Sequence, residues 1–495
     1  MSKAMEAIDT ANVPDLRTAF DRDPDRLERY VIRQGPIRFD WSKTHLTDEL
    51  VQSFLALAGD MDFAARRDAL FAGEPVNVTE GRAAEHPAER GEGRPESVAR
   101  ARAQHMRMRA LIEAIDAGDL GEIRHVLHIG IGGSALGPKL ILDALGDGVS
   151  RYDVAVVSNV DGTALERAMK GVDPRKTLVA VASKTFTTTE TMLNAASAVA
   201  WMDEAGVDAR SRVIALTAAP EKAVEWGVGE DRILPFAESV GGRYSLWSSI
   251  GFPAAIALGW DRFERLLAGA AAMDRHFRQA EPAANAPLIA AFADRYYARA
   301  LKCQTRALFA YDERLALLPS YLQQLEMESN GKRVTAGGQA VDGPTAPITW
   351  GGVGTDAQHA VFQLLHQGTV LMPVEFIASL APGHSLDPAH HRALLTNCFA
   401  QGAALMQGRD NPSDPARAFP GNRPSTTIVL DDVTPEALGA LIAFYEHRTF
   451  ANAVLMGVNP FDQFGVELGK EIARAIEKDG ARGFDPSTTA LIELI

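Results

Sequence analysis

Five short apolar runs between residues 100 and 236, each separated from the next by a stretch of helical spacing, restrict the fold of this chain most. They cover residues 125–131, 152–158, 177–182, 212–217 and 232–236, and residues 164–169 and 187–201 are two of the helical stretches between them. Short Val-rich runs bounded by polar residues fit strands buried on both faces. Strands alternating with helices build βαβ units around a parallel sheet. A long Ala- and Leu-rich helical region comes next, to about residue 304, and then a second alternating region with strands expected at 307–311, 348–351, 370–380 and 426–430. The expectation is an α/β chain with two mostly parallel sheets flanked by helices. Residues 1–98 read as a helical segment packing on the larger domain, with 46–57 as its clearest helix. The polar, Gly- and Pro-bearing stretch 81–95 reads as a connector. The first, smaller domain is expected at 99–256, the second, larger one at 257–456, and a helical arm at 457–495 with Phe464, Leu468, Ile472 and Ile476 on one stripe.

Ligands of parallel sheets bind beyond the carboxyl ends of the strands, which directs attention to the residues just after each run. The run at 177–182 leads into Ser183, Lys184, Thr185, Phe186, Thr187 and Thr188, and then into a helix. Hydroxyls and a lysine at a helix start, where N–H groups are unpaired, make a seat for phosphate. The competing reading is local: Thr187 with Glu190 fits a capping box. Gly130 to Gly137 comes directly after the first run and matches the dinucleotide pattern G-x-G-x-x-A. That reading wants an acidic residue at the end of the second strand, where Ser158 and Asn159 stand. The alternative is that glycine lets the backbone at Gly133 and Ser134 approach a sugar or phosphate.

Arg243 comes after two glycines and just before a helix, as part of a ligand loop or of a surface ion pair. Glu328 ends a helix stopped by Asn330 and Gly331, with Gln324 one turn earlier. The negative end of the helix dipole disfavours its charge, which suits a general base. His359 lies in the first turn of a helix opened by Thr355 or Asp356, where an imidazole can donate and accept protons. His366, seven residues on, is too far along for an H-x-x-x-H pair, so no metal is expected. Gln463, Glu467 and Lys470 are spaced four and three apart and share a helix face, solvated or reaching a ligand.

The formal charge of −14 and the lack of a basic stripe argue against nucleic acid as a partner. No apolar run has bilayer length, and the N-terminal stretch lacks the apolar centre of a signal peptide, so no membrane is expected. Two distant cysteines, Cys303 and Cys398, read as core fillers in a reducing compartment, the cytoplasm.

Six motifs stand in one order: GIGGSALGP (130–138), SKTFTT (183–188), VGGRYSLWSSIG (240–251), QQLEMESNGK (323–332), GTDAQHAVFQLLHQGT (354–369) and FDQFGVELGK (461–470). Together they resemble the glucose-6-phosphate isomerase family with two sugar-isomerase-type domains, from about Asn77 to the C-terminus. The resemblance implies aldose–ketose isomerisation of glucose 6-phosphate and fructose 6-phosphate without cofactor. It implies that Glu328 shuttles the proton, that His359 and Lys470 open the sugar ring, and that Arg243 faces the enediolate. Ser183, Lys184, Thr185, Phe186, Thr187 and Thr188 would bind the phosphate, and Gly133, Ser134, Gln324 and Gln463 would line the sugar site. It further implies a homodimer in which His359 serves the neighbouring active site. Tolerance of mannose 6-phosphate and a non-catalytic sugar-phosphate sensor are the alternatives; the presence of both Glu328 and His359 speaks against the sensor. The chain departs from the family pattern at 83–90, at 351–354, at Ala357 and at Phe464.

Overall fold

The computed structural model describes residues 2–495. A short antiparallel hairpin, β1 (Val31–Gln34) and β2 (Ile37–Asp40), comes first in the chain. The runs between 125 and 236 form β3 (His125–Gly130), β4 (Asp153–Val157), β5 (Thr177–Ala182), β6 (Val213–Thr217) and β7 (Ile233–Pro235). These pair in parallel in the order β4-β3-β5-β6-β7. Every residue of β5 and β6 is buried, because helices cover both faces of the sheet. The chain steps from β3 outward to β4, then returns to place β5 on the other side of β3. The crevice between the carboxyl ends of β3 and β5 is therefore the topological switch point, where sheets of this kind hold ligands.

The second alternating region forms β8 (Thr305–Tyr311), β9 (Ile348–Val353), β10 (Val374–Ser379) and β11 (Ser425–Leu430). The full sheet runs β1-β2-β11-β10-β8-β9, and its parallel part repeats the topology of the first sheet, with β8 in the place of β3. Two similar α/β units were expected, and two are present. The expected strand at 370–380 is shorter, starting at Val374.

Two expectations for the N-terminal hundred residues need correction. The segment is not wholly helical: its hairpin adds β2 antiparallel to β11, so it completes the second sheet. The stretch 81–95 is not a surface connector either. The turn His86–Arg90 is buried at each of its five residues. Arg90 donates to Asp274 on the helix Trp260–Gln279 and to Glu446 on the helix Pro435–Met456, and all three side chains are fully buried. Glu89 beside it is pushed up to about 7 by burial. A polar sequence can fill a core when its charges meet partners there.

The helix Pro435–Met456 is buried all round except at Glu436 and packs against Trp260–Gln279 and Ala286–Arg295. Both cysteines are buried and free, and burial raises their thiols, Cys303 to about 11 and Cys398 to about 12. No helix among the described residues is long and apolar enough to cross a membrane.

Candidate active site

At the switch point, Gly130 ends β3 and the turn Gly132–Ser134 opens into the helix Leu136–Leu145. A Cβ on Gly133 would lie 2.2 Å from the carbonyl carbon and oxygen of Gly242, so only glycine lets this turn meet the loop that carries Arg243. A Cβ on Gly132 would lie 2.9 Å from Nε2 of Gln324, which brings that amide to the same crevice. Beneath the turn, burial lowers His128 to about 4, so its ring is neutral, and its Nε2 donates to the Ser134 carbonyl at 2.7 Å.

The SKTFTT loop leaves β5 beside this turn. The helix after it, Thr189–Glu204, has Thr188 as N-cap, and that hydroxyl makes no capping bond; it pairs with the Ser183 hydroxyl at 3.1 Å. The capping box of Thr187 and Glu190 is not formed, and Thr187 donates to Thr185 at 2.9 Å. The N–H groups of a sixteen-residue helix are thus left without a side-chain cap, beside four hydroxyls. Lys184 and Phe186 are differently employed. The Lys184 ammonium donates to the carbonyls of Glu238 at 2.6 Å and Val240 at 3.2 Å, tying this loop to the Arg243 loop. Burial lowers its pKa from the ordinary lysine value. The Phe186 ring is buried against Trp226.

Arg243 is buried and held from four sides. Nε donates to the Ser329 hydroxyl at 2.6 Å, Nη1 to Gln463 at 2.9 Å, and Nη2 to the carbonyls of Pro460 and Asp462. The surface-pair reading of Arg243 fails. Glu328 closes a π-helical turn, Gln323–Glu328, that widens the helix before its stop at Asn330. Such turns recur at functional sites. The Glu328 Oε2 atom is buried, has no hydrogen-bond partner among the described residues, and lies 3.9 Å from Nη1 of Arg243. An unpartnered carboxylate oxygen facing a locked guanidinium can take a proton from a substrate while the cation steadies negative charge on it.

Gln463 does not lie on a helix face with Glu467 and Lys470, as its spacing suggested. The α-helix begins only at Glu467, and Gln463 sits ahead of it in an irregular turn that aims its amide at Arg243. Lys470 is exposed on that helix and His359 is exposed on Ala357–Gln367. Neither makes a side-chain hydrogen bond among the described residues.

The profile of the phosphoglucose isomerase family matches residues 40–492. Glucose-6-phosphate isomerase of Rhizorhabdus wittichii is 70% identical over 490 residues, covering 99% of this chain and 98% of that protein. The enzyme of that name from Zymomonas mobilis is 63% identical over 491 residues, covering 99% and 97%. A crystal structure of a glucose-6-phosphate isomerase from Chlamydia trachomatis superposes with a TM-score of 0.91 at 29% identity, covering 100% of this chain and 98% of that one. The chain belongs to the phosphoglucose isomerase family.

Several residues that matter to this phosphoglucose isomerase site escaped the sequence reading. The Ser329 hydroxyl oxygen accepts from Arg243 Nε and bonds the Tyr244 hydroxyl at 3.0 Å. Lys332 donates to the carbonyls of Glu328 and Asp462 and pairs with the Asp462 carboxylate at 2.9 Å. Asn459 reaches Asn77, Thr79 and Asp462, so the segment 77–79 braces the loop that presents Gln463. The signal available was position: Ser329 and Lys332 flank Glu328 inside a motif already singled out.

The candidate phosphate seat carries a prediction. Losing a hydrogen bond to a charged group costs about 1.5–3 kcal/mol, so Ser183→Ala and Thr188→Val should each raise KM roughly 10- to 100-fold. The helix should persist, because Thr188 makes no capping bond. Steady-state kinetics with circular dichroism checks both halves; an unchanged KM would remove these hydroxyls from the phosphate site.

Proposed function

We propose that this chain reversibly isomerises glucose 6-phosphate and fructose 6-phosphate through an enediolate, with Glu328 as the proton shuttle. The ring opens first. In the aldose-to-ketose direction the Glu328 carboxylate takes the C2 proton; the C–H pair becomes the C1–C2 double bond and the carbonyl pair moves to O1. The O2 hydroxyl proton passes to O1, and the same carboxyl returns its proton to C1 as the C1–C2 double bond opens and the freed O2 pair forms the C2 carbonyl. Arg243, fixed by its four hydrogen bonds, is preorganised to stabilise the enediolate charge. The hydroxyls of Ser183, Thr185, Thr187 and Thr188 and the start of Thr189–Glu204 hold the phosphate. Gly133, Ser134, Gln324 and Gln463 line the sugar. The observation that carries the reading is the unpartnered Glu328 oxygen beside Arg243.

The working unit in this reading is a homodimer. Its support is what stands uncovered on one chain: His359 is exposed, and the helix Glu467–Asp479 has no buried residue although Leu468 and Ile472 form an apolar stripe with the preceding Phe464. His359 of each chain then serves the other's site, and Lys470 joins it in ring opening. The cytoplasm, where sugar phosphates are found, is the compartment that fits.

The test is a coupled assay on fructose 6-phosphate in the presence of a chelator; no activity, or activity the chelator abolishes, overturns the metal-free isomerase reading. The shared site is tested by co-expressing Glu328→Gln and His359→Ala chains. If His359 crosses the interface, mixed dimers contain one intact site and activity returns in part. If each site uses its own His359, every site lacks one residue and mixing restores nothing.

A further inference from the structure

Glu326 stands two residues before Glu328 on the same π turn, on the side that faces the second sheet. On a π turn, wider than an α-helical one, two residues still advance by about half a turn, so their side chains leave on opposite faces. The Glu326 Oε2 accepts from Arg306 on β8 and from the Thr349 hydroxyl on β9 at 2.6 Å, while Glu328 faces Arg243. Arg306 is itself part of a buried cluster with Arg448, Asp294 and Glu375. Arg448 holds Asp294 through two bonds at 2.6 and 2.7 Å and Glu375 at 2.7 Å.

Glu326 Oε1 is buried without a partner, and so are Asn330 Oδ1, Thr449 Oγ1 and Asn452 Oδ1. All four residues line one cavity of about 10 Å³, room for a single water. The amide orientations are set from outside the cavity: Asn330 Nδ2 donates to the Thr449 carbonyl at 2.9 Å and Asn452 Nδ2 to Asp294 at 3.4 Å. Buried polar atoms in this number call for a partner, and one water, donating to Glu326 Oε1 and Asn330 Oδ1 and accepting from the Thr449 hydroxyl, satisfies three of the four.

We infer that Glu326 is a positioning residue for the isomerisation: anchored to β8 and β9 and bridged by one internal water to Asn330, it fixes the π turn and thereby the reach of the Glu328 carboxylate. The inference rests on Glu328 being the proton shuttle. On the other flank, Ser329 is held by Arg243 and Tyr244, so the catalytic residue is clamped from the sheet below and the loop above. Anchoring to strands gives the carboxylate the rigidity that a helix end lacks by itself.

Glu326→Leu leaves Arg306 and Arg448 opposite Asp294 and Glu375, two charges against two where the parent cluster sets three carboxylates against two guanidinium groups. Thr349→Val removes one anchor without changing shape and decides the matter if the leucine variant does not fold. A small misplacement of a reacting group can cost about 100-fold, so Glu326→Leu should lower kcat to that extent with little change in KM. Thr349→Val should lower it roughly tenfold, the low end of what one bond to a charged group contributes, because Arg306 still holds the carboxylate. The readout a purely structural role does not move is label partition. With the reaction run in D2O, a mispositioned Glu328 loses its captured proton to solvent more often, and deuterium per turnover in the product rises in both variants. The conservative Glu326→Gln, which can still accept from Arg306 and Thr349, should recover most of kcat.

Folded variants with parental kcat and parental deuterium incorporation overturn the positioning role. So does a lowered thermal midpoint with unchanged partition. Parental protein and Glu328→Gln are run beside them: an inactive parent, or an active Glu328→Gln, sinks the proton-shuttle reading instead, and the two failures cannot be confused.

Discussion

Glu328→Gln lowers kcat on fructose 6-phosphate by about 10²–10⁴-fold, the usual contribution of general acid–base catalysis, and leaves KM little changed. The amide has the same shape and cannot take the substrate proton. The hydroxyl and N–H groups assigned to the phosphate lie on other elements, so binding persists. Stability should also hold, because the Glu328 Oε2 makes no protein hydrogen bond, and Arg243 keeps Ser329, Gln463 and two carbonyls when the charge is removed. Steady-state kinetics with the thermal midpoint measured on the same preparation check the prediction. Turnover within a few-fold of the parent would remove Glu328 from the chemistry. A large fall in midpoint would show that the residue has a structural task that its geometry does not suggest.

The parts of this molecule that can be read from residue order alone are those whose physics is local. Strand β5 occupies the expected residues because a strand buried on both faces must be apolar at every position. The hairpin Val31–Asp40 was missed for the opposite reason. As an edge addition it interleaves Arg33, Gln34, Arg38 and Asp40 with apolar residues, and only Gly35 and Pro36 mark its turn. The turn His86–Arg90 looked like a solvated loop because its partners, Asp274 and Glu446, lie nearly two hundred residues or more away. The same limit runs through the site. Glu328, Arg243 and the SKTFTT hydroxyls announce themselves by motif. The spacing of Gln463 mimics a helix face, but that helix begins four residues later. Asp462 gains meaning only when folding brings 243, 329 and 460–463 together.

Arg90→Met should destabilise the protein by about 3–5 kcal/mol near pH 8, the cost of leaving buried charge without its partner. Three elements meet at this guanidinium. Nε and Nη2 clasp Asp274 at 2.8 and 2.6 Å, Nη1 reaches Glu446, and the group stacks over Trp247 at 4.7 Å. His447 bonds Asp274 at 2.6 Å and the Trp247 indole donates to Glu446 at 2.8 Å, yet neither replaces a full positive charge. Burial pushes Glu446 up to about 7 with Arg90 holding it down. Burial likewise pushes Asp274 up, but Arg90 and His447 outweigh it and keep that carboxyl below its ordinary value. Without Arg90 both carboxyls move upward. A carboxyl whose folded pKa lies above its unfolded one contributes stability at low pH and loses it as pH rises through the folded value. The variant should therefore regain stability, relative to the parent, as the pH falls from about 8 to about 5.5. Adding Asp274→Asn and Glu446→Gln should recover most of the loss at pH 8, since no buried charge then lacks a partner. Urea unfolding followed by circular dichroism at both pH values decides it. A loss below about 1 kcal/mol at the higher pH, within the range of an ordinary substitution, would mean that water reaches these carboxylates and that the turn is no part of the core.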